Sequence, residues 1–545
     1  MTTKHCRNCS KEFTITEREG LYLRNIDVPE PTYCYNCRQQ RRLVWRNERT
    51  LYNSKCALTG KSIISSYPAD TPYTVYEYEQ WWSDKFNALQ YAQDYNFNKP
   101  FFVQFKELMQ KVPRMNLSNS NNENCSYVNY TNYSKDCYLI YGVHSSEKCS
   151  YCWRAHNSLE CYDCSQITDS QYCYECFNCH KCYELLHGQD CQNCSQGQYL
   201  YNCVGCQNCF LCANLDHKQY YILNEKHSPE EYKKKVDELK KMSGEELEKT
   251  FKEHKTKVPH KAVDHINCEK CTGDYIVNSK NCENVYFANE CEDCLNVFIT
   301  EKAKDCMDCD ITGWPAELCY EGMSTCVKSH KVFFSSVCWS CNDVQYCDSC
   351  FNSNNLFGCI GLKHNEYCIL NKQYSKEDYE ELLPRIIEHM KSIEEYGEFF
   401  PIELAPYPYN ETIAQEYIPI TEERAKAKGY KWTYPNEKEH KEQTYKVSEK
   451  IEDVDEDITE NILKCKSTGK NYKITIPELK FYKKMHIPIP KKHPDQRHQE
   501  RMGLRNPRKY WNRKCSKCGK EIQTSYAPGN IEIVHCEECY LKEQY

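Results

Sequence analysis

From Cys125 to Leu215 every third residue is small or apolar: Cys125, Val128, Thr131, Ser134, Cys137, Ile140 and onward through Cys203, Cys206, Cys209 and Cys212. A period of three held over that length fits neither the 3.6-residue helix nor the two-residue alternation of a half-buried strand. It predicts a narrow solenoid whose short sides each turn one residue inward. Ser146-x-x-Cys149-x-x-Cys152, Ser158-x-x-Cys161-x-x-Cys164 and Ser170-x-x-Cys173-x-x-Cys176 stand twelve residues apart. Four three-residue steps would therefore close each coil, with shorter nine-residue spacings at Cys173, Cys182 and Cys191. Such a coil is too tight for stacked Leu or Phe, which accounts for the Cys, Ser, Ala, Thr and Val at its inward positions.

The same unit recurs 147 residues later. Cys191-x-x-Cys194 falls on Cys338-x-x-Cys341, Cys203 on Cys350, and Tyr220-Tyr221-Ile222-Leu223-Asn224 on Tyr367-Cys368-Ile369-Leu370-Asn371. The second copy keeps its period from Ser279 to Thr312, slips near Trp314 and Thr325, and resumes from Cys326 to Leu362. The coil is similar in shape to the twelve-residue coils of insect antifreeze solenoids, a likeness that carries no function. Stacked coils would lie about 4.8 Å apart and satisfy one another's backbone groups. Ser228-Pro229 and Ser375 are N-cap signals for helices covering the last coils. The central cysteines admit three readings: buried thiols acting as small hydrophobes, zinc or another soft metal bridging neighbouring coils, or disulfides. Outward Tyr138, Tyr162, Tyr174, Tyr183 and Asn193 offer a protein-binding face.

The two ends are also copies of each other, at an offset of 459 residues. Cys6 falls on Cys465, Arg38 on Arg497, Arg42 on Arg501, Arg46 on Arg505, Arg49 on Arg508 and Lys55-Cys56 on Lys514-Cys515. Each end reads as two zinc ribbons in tandem. One complete set is Cys6, Cys9, Cys34 and Cys37; the other is Cys515, Cys518, Cys536 and Cys539. Paired Cys-x-x-Cys knuckles supply the four thiolates of a structural Zn2+ site and leave no coordination position open for catalysis. The second N-terminal set is degenerate at Thr59, Glu77 and Gln80, and the first C-terminal set at Thr468, His493 and Gln496. The arginines outlast the ligands. Arg38, Arg42, Arg46 and Arg49, with Arg497, Arg501, Arg505 and Arg508, are candidates to clamp phosphates. Lys509 and Arg513 extend that face, and Trp45, Tyr510 and Trp511 are candidates to stack on unpaired bases. The plainer alternative has the arginines pack one ribbon on the other through backbone carbonyls.

Charge favours a polyanion at one end. Residues 464–520 hold 18 Lys and Arg against Glu478, Asp495 and Glu500, a local +15 in a chain whose net charge is -7. With 41 cysteines, no apolar leader after Met1 and no stretch apolar enough for a membrane span, the chain reads as cytoplasmic, its thiols reduced or metal-bound. Thr59-Gly60-Lys61-Ser62 ends like a phosphate-binding loop, but Lys55 replaces the first glycine. No His-Glu-x-x-His helix occurs, and no nucleophile with its base stands out.

Arg42-Leu43-Val44-Trp45-Arg46-Asn47-Glu48-Arg49, Trp81-Trp82-Ser83-Asp84-Lys85, Tyr396-Gly397-Glu398-Phe399-Phe400-Pro401, Tyr409-Asn410-Glu411-Thr412, Ala414-Gln415-Glu416-Tyr417 and His493-Pro494-Asp495-Gln496-Arg497-His498 span nearly the whole chain. In these the chain resembles a family of uncharacterised cysteine-rich zinc-ribbon proteins of environmental bacterial genomes. It departs from the family pattern of cysteines at Thr59, Glu77 and Gln80. A coenzyme A transferase label carried by some members finds no support in these residues, and the resemblance implies no agreed activity.

The expected fold is multidomain, with small α+β zinc-ribbon modules flanking two Cys-rich β-solenoids with helical caps. The boundaries are a ribbon module over 1–82, an aromatic connector over 83–117, the first solenoid over 118–227 and capping helices over 228–262. The second solenoid follows over 263–374, then a capping helix over 375–396, a Pro/Tyr-rich and then charged linker over 397–460, and the second module over 461–545. The expected function is a non-enzymatic zinc-binding scaffold or adaptor whose basic modules bind nucleic acid, RNA in preference to DNA, with no membrane partner. The alternative is a structural protein whose solenoids self-assemble or dock on another protein; a thiol or metal redox protein comes third.

Overall fold

The computed structural model describes residues 1–280, 285–289, 298–301, 303–304, 307, 310–312, 316–317, 320–321, 323, 329–434 and 441–544. The chain divides into two compact units: 1–117 with 263–434, and 118–262 with 435–545. The N-terminal module thus belongs with the second coil stack and the C-terminal module with the first.

The first stack obeys the three-residue rule at the level of the backbone. Every third residue from Asn121 to Leu223 has a left-handed φ, for example 52° at Tyr133 and 53° at Asp163, with Gly142 and Gly205 at two corners. Two extended residues and one left-handed residue make a side and a corner, and four such steps close a coil. Neighbouring coils pair in parallel at a register of twelve, as in Ser126↔Tyr138, Ile167↔Cys179 and Leu200↔Cys212. Left-handed non-glycine corners carry a conformational cost of about 1–2 kcal/mol each. From Tyr133 onward corner amides offset it by donating to the previous coil, as Asp136 N does to the Glu123 carbonyl at 3.0 Å.

The nine-residue spacings do not mark shorter coils. Tyr183↔Ser195 and Leu185↔Gly197 hold the register of twelve, and Cys182 and Cys191 are inward residues three steps apart, with Leu185 and Gly188 at the steps between them. In the second stack the two expected slips are coils of thirteen, Ala303↔Ala316 and Ala316↔Ser329, after which the register returns to twelve at His330↔Asn342. Large residues do enter the core. Leu185 and Leu200 are fully buried, each beside a glycine: a Cβ on Gly188 would lie 2.4 Å from Leu185 Cδ2, and one on Gly197 would lie 2.6 Å from Leu200 Cδ1. Leu plus Gly thus replaces a pair of mid-sized residues at constant coil volume.

The inward residue turns its amide into the core, where it must find an acceptor. Ser134, Ser146, Ser158 and Ser170 form one ladder in which each Oγ accepts from the inward amide twelve residues on, as in Ser158 N to Ser146 Oγ at 3.1 Å. Cysteine does the same in the second stack, where Cys359 N donates to Cys347 Sγ at 3.2 Å. Thiols also donate to carbonyls; Cys194 Sγ reaches Gln192 O at 3.4 Å and Cys203 O at 3.3 Å. The described cysteines are free thiols, so the disulfide reading fails for them.

Asparagine closes the ladders. Asn119 and Asn122 side chains bond Thr131 and Ser134 amides and the Val128 and Thr131 carbonyls at the start of the first stack. Asn224 and Asn371, 147 apart, do so at the last coils. Helices Pro229–Leu239 and Gly244–Lys255, N-capped by Ser228 and Ser243, lay Val236, Leu247 and Phe251 on Phe210 and Ile222. Lys376–Ser392, capped by Ser375, follows the second stack. The charged segment expected as a linker is partly packed instead: Ile451, Val454 and Ile458 join the core of Phe481, Tyr482 and Leu479. No helix among the described residues is long and apolar enough to cross a membrane.

Candidate metal centres and the arginine locks

The hairpin of Thr2–His5 with Glu12–Ile15 delivers Cys6 and Cys9 on a tight knuckle, in which Cys6 N donates to Lys11 O at 2.9 Å and Ser10 N to Cys6 O at 2.8 Å. Cys34 is the N-cap of helix Tyr35–Leu43, and Cys37 sits in its first turn. The four thiols lie within 4.8 Å of one another, with Cys9 Sγ 3.7 Å from Cys34 Sγ. A helix N-terminus favours a thiolate. The Cys34 thiol is held down at about 5, chiefly by the hydrogen bond from Cys37.

The C-terminal set repeats the design. Hairpin Trp511–Lys514 with Glu521–Thr524 carries Cys515 and Cys518, and Cys536 and Cys539 lie where strand Ile533–His535 runs into helix Glu537–Gln544. These thiols too lie within 4.8 Å of one another. Burial opposes ionisation of Cys515, but the amides of Cys518, Cys536 and Lys517 outweigh it and hold the thiol at about 6. Four convergent thiols suit a thiophilic ion that takes tetrahedral sulfur coordination. Among the described residues no third set converges in this way.

The degenerate sets keep the knuckle and fill the lost ligand positions with other polar contacts. Cys56 N to Lys61 O and Cys465 N to Lys470 O, 2.9 and 2.8 Å, reproduce the bond at Cys6. Beside Cys56, Glu77 pairs with Lys61 at 2.6 Å. His493 caps helix Pro494–Met502, its Nδ1 accepting from Asp495 N at 3.1 Å.

The arginines face inward, which corrects their expected place on an exposed phosphate clamp. Arg42, fully buried, bonds Asp310 through Nε at 2.5 Å; Arg38 lies 3.8 Å from Glu321 and donates to Tyr33 O. Arg46 pairs with Glu48 at 2.5 Å. In the other unit Arg497 bonds Asp163 and the Tyr482 hydroxyl and lies 3.7 Å from Glu478. Arg501 bonds Asp163 at 3.1 Å, Glu175 at 3.3 Å and the Tyr151 carbonyl. Arg505 donates to Met502 O, and Arg513 to the Ala527 and Glu532 carbonyls. Arg49 and Arg508 are half-buried. Trp45 is buried and stacked on Phe400 at 4.6 Å, so it offers no face to a base. Lys509 remains exposed, over the ring of half-buried Trp511 at 5.2 Å.

The acidic partners escaped the sequence reading, as did Arg41, which holds Glu321 at 2.8 Å and Glu398 at 2.8 Å. A signal existed: Asp163 and Asp310 are separated by the same 147 residues as the coil repeats, just as Arg42 and Arg501 are separated by the 459 of the modules. Charges do not balance equally. Among the described residues, Arg38, Arg41 and Arg42 meet Asp310, Glu321 and Glu398, whereas Arg497 and Arg501 meet Asp163, Glu175 and Glu478. Burial pushes the Glu175 carboxyl up to about 7 against the pull of Arg501, with Asp163 adding to the rise. Burial raises Glu478 as well, against Arg497.

No family model and no curated protein matches the chain.

Proposed function

We propose that the protein is a non-enzymatic scaffold in which two structural zinc ions hold duplicated tandem-ribbon modules, and buried arginines key each module to a coil stack. The observation that carries this reading is the repeated lock: Arg42 on Asp310 and Arg501 on Asp163, at matching positions of both duplications. Catalytic groups meet substrate at a surface; here the described coil thiols and the guanidinium groups of Arg38, Arg42, Arg497 and Arg501 are committed to carbonyls and carboxylates inside the fold. Membership of the zinc-ribbon family that the sequence resembles belongs to the same reading.

Nucleic acid, RNA first, remains the proposed partner, moved from the arginines to the lysines. Lys509, Lys514, Lys517 and Lys520 are exposed on and beside the intact C-terminal ribbon, next to Trp511. Four phosphate contacts to a single strand give a slope of log K against log salt of about -3. The test is a titration of a single-stranded RNA with the full zinc-loaded chain at several salt concentrations. Steep salt dependence that disappears in Lys514→Glu/Lys517→Glu/Lys520→Glu supports the reading. A folded, metal-loaded protein that binds no RNA at low salt removes it and leaves the scaffold as a protein-docking one.

A further inference from the structure

The two locks are copies with one change that alters their chemistry. Arg41 of the N-terminal module corresponds, 459 residues on, to Glu500. Arg41 supplies the third positive charge of its lock, bonding both Glu321 and Glu398. Glu500 instead turns to Lys492 at 2.8 Å. The C-terminal lock therefore keeps three carboxyls, those of Asp163, Glu175 and Glu478, against two guanidinium groups.

Two buried guanidinium groups balance two carboxylates, and an unbalanced third charge in a dry site is costly. Asp163 is fully buried between Arg497 and Arg501. Glu478 is fully buried too, accepting from Tyr151 Oη at 2.8 Å, Tyr482 Oη at 2.7 Å and its own helix cap. Glu175 stands at the rim, its side chain 19% exposed, with one carboxylate oxygen on Arg501. Solvent thus reaches Glu175, while hydrogen bonds hold Glu478.

We propose that Glu175 is a proton-operated latch for the C-terminal module: protonated, it leaves the lock neutral and the module docked; ionised, it leaves an unmatched negative charge and loosens helix Pro494–Met502 from the first coil stack. The charged and titratable groups that act on it are Arg501, Arg497 and Lys492 from the module and Asp163, Tyr174 and Tyr199 from the coils, while Glu478 lies across the lock on Arg497. The docked carboxyl has the higher pKa, about 7 against the ordinary 4.5. Docking is therefore tightest at low pH, weakens as the free form ionises above 4.5, and levels off once pH passes about 7. One group changes the opening equilibrium by at most about tenfold per pH unit in that window.

The experiment is hydrogen exchange of the full zinc-loaded chain between pH 5.5 and 8, corrected for intrinsic rate. Peptides over 494–502 are compared with peptides over 35–43, whose three-to-three lock serves as the internal control. Opening of 494–502 should rise at least tenfold from pH 5.5 to 7.5 while 35–43 stays level, and Glu175→Gln should flatten the rise. Parallel profiles at the two helices overturn the proposal. So does a rise that survives in Glu175→Gln, and Glu478→Gln in the same assay then shows whether that carboxyl holds the proton instead.

Discussion

Arginine at a duplicated position carries two opposite meanings, and the side chain alone does not separate them. The pattern Arg-Asn-x-Arg survives in both modules while two of the four cysteine sets are degenerate, which fits a phosphate clamp as well as a packing device. The decision lies in the partners. Arg42 has no exposure and its Nε rests on Asp310, itself fully buried. Truncating one member of such a pair strands the other charge in a dry site, at about 3–5 kcal/mol. Arg42→Ala should therefore lower the urea midpoint of the unit holding the second coil stack, whereas Arg42→Met combined with Asp310→Leu should recover most of the loss. If the single variant unfolds at the wild-type urea concentration, Asp310 is not held by Arg42 as described. The two four-cysteine clusters were legible from spacing because each joins two Cys-x-x-Cys pairs that stand outside the three-residue coil repeat. The carboxylates were legible only through the 147-residue offset, because an isolated Asp at a coil corner looks like any other polar corner.

Within a coil, the element that matters is the inward amide. Serines of the inward ladder, and Cys347 in the second stack, accept from the inward amide of the next coil and fill the core at the same time. Ser146 accepts from Ser158 N at 3.1 Å and donates to the Ala155 carbonyl at 3.1 Å. Ser146→Ala leaves that amide without its acceptor and should cost about 1–3 kcal/mol. Ser146→Cys should cost much less, since cysteine holds the same role at Cys347. A thermal scan of the two variants checks the ordering; equal losses would mean that volume, not hydrogen bonding, selects the residue. Coil length was readable from the twelve-residue recurrence of Ser-x-x-Cys-x-x-Cys, and the places of the two slips from breaks in the period of three; that each slip is a coil of thirteen was not. The left-handed corners were not, because Tyr, Glu and Lys occupy them alongside Asn and Asp, and the first three carry no local signature for that conformation. The paired Leu185–Gly188 and Gly197–Leu200 were also hidden, since a rule on each position misses a volume shared between two.

At the scale of the molecule, both duplications were visible in the sequence, but which module joins which stack was not, because sequence order suggests the nearest neighbour and the fold chooses the farther one. The C-terminal module is tied into the first stack's unit by several independent contacts. Strand Ile533–His535 pairs with Pro259–Lys261, Tyr540 Oη accepts from Asn202, and Phe481 stacks on Tyr162 at 4.1 Å. A structural zinc site supplies about 10–16 kcal/mol to the segment that binds it, so losing the ion removes the ribbon's own reason to fold. Elemental analysis should find two zinc equivalents in the full chain and one in Cys515→Ser/Cys518→Ser. In that variant, hydrogen exchange should rise over 189–213 of the first stack and stay unchanged over 342–370 of the second. Loosening confined to 397–460 would mean that the module is a tethered appendage. Loosening of 342–370 would mean that the division into units is wrong, and with it the assignment of each lock to its own coil stack.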